Sequence, residues 1–127
     1  MKSKFEALRN QLSEAFDRFN EVMKLPKNDV VRDSAIQRFE FTFELLWKTL
    51  REYLRNKGAD EAYFPRDVFK DAFRIGLIEE DDAWLDMLDD RNATSHIYKE
   101  EMADRIFSKF SSYLKLMKRL VNKLKGF

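Results

Sequence analysis

The chain has 127 residues, no cysteine, one histidine and a formal net charge of +1. That length predicts a single domain over residues 1–127, one that buries roughly two-thirds of the surface its unfolded chain exposes. The absent cysteines exclude a disulfide scaffold, thiolate metal sites and a cysteine nucleophile, and a lone histidine excludes a multi-histidine metal centre within one chain.

The first predicted helix runs from about Ser3 to Leu25. Phe5, Leu8, Leu12, Ala15, Phe16, Phe19 and Met23 recur at steps of three and four and make one apolar stripe. Pro26 stops it, and Asn28 or Asp29 can cap the next helix. That second helix, about Val30 to Asn56, is the longest. At 100° per residue, Ile36, Phe39, Phe43, Leu46, Trp47, Leu50, Tyr53 and Leu54 share an arc of about 120°. Phe41 and Leu45 lie nearly opposite, so this helix is either central or packed against a second subunit. Gly58 is placed to end it in a left-handed cap.

Two shorter helices follow. Pro65 suits a first turn, with Val68, Phe69, Ala72 and Phe73 as the apolar face up to Gly76. The acids at 79–82 then open a helix whose Ala83, Trp84, Met87 and Leu88 face inward. A last helix, about Lys99 to Lys125, spaces Ala103, Ile106, Phe110, Tyr113, Met117, Leu120 and Leu124 as a bundle seam. No segment alternates with period two. The expectation is an all-α, up-and-down antiparallel bundle of three long helices and two short ones. No apolar run exceeds three residues, so no membrane span is predicted. The charged, amphipathic start lacks the apolar stretch of a secretion signal, and a cytoplasmic protein is expected.

Charge is unevenly spread. Residues 79–90 carry seven acids and no base, and residues 105–127 carry seven Lys or Arg and no acid. The basic run fits either an anionic partner such as nucleic acid or the electrostatics of a helix C-terminus.

The chain has no phosphate-cradling glycine loop, no zinc-protease motif and no serine elbow, so no metal or cofactor is expected. Chemistry concentrates in Asp89-Asp90-Arg91-Asn92-Ala93-Thr94-Ser95-His96-Ile97-Tyr98. On an unbroken helix Arg91 and His96 would point ~140° apart. Asn-Ala-Thr-Ser favours caps and turns, and a break there lets the two converge. A guanidinium holds phosphate and an imidazole moves a proton near neutral pH. Together they suffice for metal-free cleavage of RNA through the ribose 2′-hydroxyl. The plainer alternative pairs Arg91 with Asp86, Asp89 or Asp90. Glu40 and Glu44, one turn apart at the edge of the core arc, are acid/base candidates or partners of a nearby base such as Arg38 or Arg51.

Arg91-Asn92-Ala93-Thr94-Ser95-His96 resembles the motif of the HEPN superfamily (higher eukaryotes and prokaryotes nucleotide-binding), and Ile97-Tyr98 extends the likeness to HepT-type toxins. The stretch Ala35–Leu50 is similar to the second-helix signature of nucleotidyltransferase substrate-binding proteins, as are Pro65–Ile78 and Trp84–Leu88. The resemblance spans roughly residues 5–120. It implies a fold like the C-terminal domain of kanamycin nucleotidyltransferase, a homodimer with the motifs near a shared cleft, and a separate minimal nucleotidyltransferase as partner. It implies that Arg91 holds the scissile phosphate, that His96 acts as acid and base, and that Asn92 orients the motif. It also implies that Tyr98 receives AMP from the partner, silencing the toxin. The same likeness admits a non-catalytic subunit that presents substrate to that enzyme.

Overall fold

The first two helices each start where a short polar side chain precedes an amphipathic run. Ser3 Oγ accepts the backbone N–H of Glu6 at 3.1 Å and starts α1, Lys4–Val22. Asn28 Oδ1 accepts the N–H of Val31 at 2.8 Å and starts α2, Asp29–Asn56. The computed structural model of the chain describes residues 3–58, 64–80 and 82–127. It continues with α3 (Pro65–Arg74), α4 (Asp82–Ala93), a 3₁₀ turn (Thr94–His96), α5 (Glu100–Phe107) and α6 (Phe110–Lys125). No strand occurs among the described residues, so the all-α reading holds. Of the acids expected to open α4, Asp81 lies outside the described residues.

Gly58 and Gly76 follow α2 and α3 at φ +93° and +80°, a backbone region that L side chains rarely enter. No described helix is long and apolar enough to cross a membrane.

The core is aromatic. The rings of Phe19, Phe39 and Phe110 meet at centroid separations of 4.8 to 6.0 Å and join α1, α2 and α6. Pairings of Phe5 with Tyr53 and of Phe19 with Phe39 show that α1 and α2 run antiparallel. Phe39 against Phe110 and Tyr53 against Phe127 set α6 parallel to α2. On the other flank, Phe69 bridges Phe43 and Trp84, which clamps α3 and α4 onto α2. Thr42 is fully buried, with its hydroxyl donating to the carbonyls of Arg38 and Ala15. Leu45 packs against the edge of the core, whereas Phe41 remains 54% exposed.

The predicted unbroken helix from Lys99 to Lys125 is two helices. The chain turns at Ser108 and Lys109, where the Ser108 hydroxyl donates to the Arg105 carbonyl at 2.6 Å. The seam hides this break, because Ala103, Ile106 and Phe110 are buried on both sides of it in unchanged phase.

Arg32 ties α5 to the start of α2. Its side chain is 5% exposed and lies 3.0 Å from Asp33, 3.3 Å from Asp104, and 3.5 Å from both Asp29 and Glu100. Lys27 reaches the same Asp104 at 3.0 Å. Lys27 first, then Arg32, holds the Asp104 carboxyl below the usual carboxylate range. The segment between α4 and α5 is thereby fixed at its far end.

Candidate active site

The last turn of α4 ends because side chains take over its carbonyls. Thr94 Oγ1 donates to the Arg91 carbonyl at 2.6 Å, and Ser95 Oγ donates to the Asn92 carbonyl at 2.9 Å. These bonds favour the tighter 3₁₀ geometry of Thr94–His96 over another α-helical turn. Ile97 then turns extended, with ψ at 108°, and its side chain packs against the core. The break expected from Asn-Ala-Thr-Ser is present, at the midpoint of that tetrapeptide.

This geometry spreads the four motif residues. Arg91 is half-buried and faces α2, with Nη1 3.7 Å from Glu40 Oε2 and Nη2 3.3 Å from Glu44 Oε1. Its Nε is buried with no hydrogen-bond partner. Asn92 and His96 are exposed, and Tyr98 is 85% exposed. Within the chain no hydrogen bond or ion pair joins Arg91 to His96: the pair occupies one short segment without touching.

Arg91 does not pair with Asp86, Asp89 or Asp90, and the partner of Glu40 and Glu44 is Arg91 itself. Arg38 instead donates to the Arg18 carbonyl at 2.7 Å, and Arg51 lies over the Trp47 ring. Glu44 is held from behind, since its Oε2 accepts from Trp47 Nε1 at 3.2 Å and lies 3.8 Å from Lys48 Nζ. Asp89 sits 3.8 Å from Arg66.

Asp90 turns inward. It is 5% exposed, accepts the Tyr113 hydroxyl, and meets Lys109 Nζ at 3.2 Å. Burial, then Asp90, pushes the Tyr113 hydroxyl well above its ordinary value. This contact fixes the residue just before Arg91 to α6, so the motif helix is pinned on two sides. No single-sequence pattern marks it; an acid next to the motif is its only trace. Among the described residues, no group of three or more His, Asp or Glu side chains could hold a metal ion.

A family model described as nucleotidyltransferase substrate binding protein like matches residues 4–126. The chain belongs to that family. A curated relative named "Probable ribonuclease HepT", from Haemophilus influenzae, is 33% identical over 90 residues, which cover 68% of this chain. The match spans 62% of that relative's length. Among solved structures, a Thermus thermophilus protein is 39% identical with a TM-score of 0.82, covering 89% of this chain and 98% of its own. A Haemophilus influenzae protein, described as revealing the fold of a substrate binding domain of a nucleotidyltransferase, is 28% identical with a TM-score of 0.71. That match covers 95% of this chain and 96% of the other. In this nucleotidyltransferase substrate-binding family member, the motif segment lies at the one place where α4 gives way to an exposed histidine.

Proposed function

We propose that the protein is a metal-independent endoribonuclease that works with a minimal nucleotidyltransferase as its silencing partner. The observation that carries this reading is the helix break at Ala93, which leaves Arg91 braced against α2 by Glu40 and Glu44 and His96 open to solvent. The 2′-hydroxyl of the substrate attacks the adjacent phosphorus, and the 5′-oxygen of the next nucleotide leaves. The products are a 2′,3′-cyclic phosphate and a free 5′-hydroxyl. His96 takes the proton from the 2′-hydroxyl or returns one to the leaving oxygen, and Arg91 carries the charge that builds on the phosphoryl oxygens. One chain holds one imidazole, so a homodimer with two motifs in one cleft would supply the acid and the base together. Asn92 orients the motif.

Tyr98 is the proposed modification site. Its hydroxyl would attack the α-phosphorus of ATP held by the partner, forming Tyr-AMP and releasing pyrophosphate. The bulk and charge of AMP two residues from His96 would close the cleft to RNA.

A second reading is a non-catalytic subunit that presents substrate to the nucleotidyltransferase. It is favoured by the two carboxylates that occupy Arg91 in the free chain. An RNase assay separates the two. Wild type should cleave RNA in EDTA, and His96→Ala should lose at least about 10²-fold in rate, the typical worth of a general acid or base, with its helical content intact. Equal cleavage by both proteins, or none by either, sinks the ribonuclease reading. Adding the partner with ATP should stop cleavage by wild type and leave Tyr98→Phe active.

A further inference from the structure

The exposed face of α6 carries an unusual charge arrangement. Lys115, Lys118, Arg119, Lys123 and Lys125 are all exposed and fall within an arc of about 160°, along about 15 Å of helix. No acid interrupts α6. Off α6, Lys4, Lys27, Arg32, Lys48, Arg66, Arg74, Arg91 and Lys109 each form an ion pair, whereas exposed bases such as Arg18, Lys24 and Lys70 form none among the described residues and stand on three separate helices or turns rather than in one row. Among the described residues none of the five α6 bases forms an ion pair. Lys123 donates to a backbone carbonyl, that of Leu77, at 3.0 Å.

The helix dipole explains only part of this pattern. It acts within the last turn, which holds Lys123 and Lys125. Lys115, Lys118 and Arg119 lie earlier. A protein partner is also a poor fit. Interface centres are rich in aromatic residues and poor in lysine, and no exposed large apolar side chain lies on α6. Unpaired lysines spaced along a helix suit the point charges of a phosphate backbone.

A second observation adjoins the first. A cavity of about 100 Å³ opens between α6 and the chain leading into α4, and Arg119 and Lys123 line it together with Trp84, Leu116 and Leu120. Glu79 and Glu80 also line it, without forming ion pairs to those bases. Apolar walls beside cations fit a base whose own phosphates rest on the rim, and carboxylates can accept from the amino groups of a base.

We infer that α6 is a binding face for single-stranded RNA, with phosphates along Lys115, Lys118, Arg119, Lys123 and Lys125 and one unstacked base in the cavity beside Trp84. The choice of RNA rests on the ribonuclease reading above; the face and the cavity do not.

The test measures binding of a fluorescent single-stranded RNA to the full chain in a His96→Ala background, so that the ligand stays intact. Lys115→Gln/Lys118→Gln/Arg119→Gln is compared with Arg18→Gln/Lys24→Gln/Lys70→Gln, which removes the same charge from exposed positions off α6. The α6 triple should bind at least tenfold more weakly at about 0.1 M salt. Its log–log salt slope should be smaller by about 2, at about 0.7 for each single-strand phosphate that the variant no longer neutralises. The control triple should keep most of the affinity and the slope. Equal losses in both triples reduce the effect to net charge and overturn the inference. So does unchanged RNA binding by the α6 triple; loss of nucleotidyltransferase binding in that case assigns the face to the protein partner. A duplex competing as well as a single strand of equal length overturns the base site. Cleavage by the same variants with His96 restored is scored separately. An inactive wild type removes the ribonuclease reading while leaving the binding result standing.

Discussion

Arg32 and Arg91 are both clasped by carboxylates, yet the two grips differ. Arg32 is almost fully enclosed, and its Nε, Nη1 and Nη2 all reach carboxylates drawn from two helices. Those partners push its already high pKa further up, with Asp33 the largest contributor. Arg91 has one contact on each terminal nitrogen, at 3.7 and 3.3 Å, and an orphaned Nε. A guanidinium offers five N–H donors, so Arg32 is close to saturated and Arg91 is not. An unpartnered buried donor costs about 1–3 kcal/mol, which a better acceptor can recover. The first arginine is built to stay. The second is held in place by fewer contacts, which is the state the proposed phosphate-binding role requires.

The same substitution at both positions tests that contrast and should have the largest effect. Arg91→Met should lower RNA cleavage by about 10²-fold or more, the scale of losing one donor to a developing anion. Its stability should change little, because Glu40 and Glu44 are partly exposed and Glu44 keeps Trp47 and Lys48. Arg32→Met should do the reverse. It should cost about 2 kcal/mol in urea unfolding, since the core end of α5 loses its tie to α2, and cleavage by the folded fraction should persist. Two variants that lose stability equally, with equal activity, would erase the distinction.

A subtler break leaves both arginines in place. Glu40→Gln/Glu44→Gln keeps the shape of the brace and removes its charge. Cleavage at saturating RNA should fall about tenfold, because a phosphate-binding group displaced by a fraction of an ångström loses alignment. Stability should move by less than about 1 kcal/mol, as expected of partly exposed ion pairs. Restoring either glutamate alone should recover part of the rate. A drop confined to RNA affinity, with the saturated rate intact, would make the pair a simple electrostatic element.

These two glutamates also mark how far the sequence is legible. The cap and the glycine stop that bound α2 follow from local chemistry, and Asn28 and Gly58 act where a reader of the sequence would put them. The break after Ala93 is legible for the same reason, since Thr94 and Ser95 bond to carbonyls three residues back. The turn at Ser108 and Lys109 is not, because a seam in constant phase looks alike in one helix or two. The brace on Arg91 is invisible as well. Glu40 and Glu44 stand out as a pair one turn apart, but their partner lies across the fold, and nearby bases such as Arg38 offer a local answer that tertiary structure overrides. Asp90 is the same case, since an acid beside acids reads as surface until Tyr113 and Lys109 come to it from α6 and the turn before it.

The smallest expected effect concerns that third grip, which holds the backbone next to Arg91 rather than Arg91 itself. The Tyr113 hydroxyl is pushed up by burial and by Asp90, so the folded protein keeps a proton that an unfolded chain releases above about pH 10. A raised folded value means that the stabilisation is complete below about pH 10 and is lost as pH rises further. Tyr113→Phe should cost about 1 kcal/mol near pH 8, from the lost hydrogen bond to a carboxylate that retains Lys109. The gap between wild type and variant should then shrink as pH climbs past about 10, because only wild type has that proton to lose. Urea unfolding at pH 8, 10 and 11 measures it. A gap that stays constant over this range would mean that the hydroxyl contributes packing alone, and that Asp90 is pinned beside Arg91 by Lys109 without help from Tyr113.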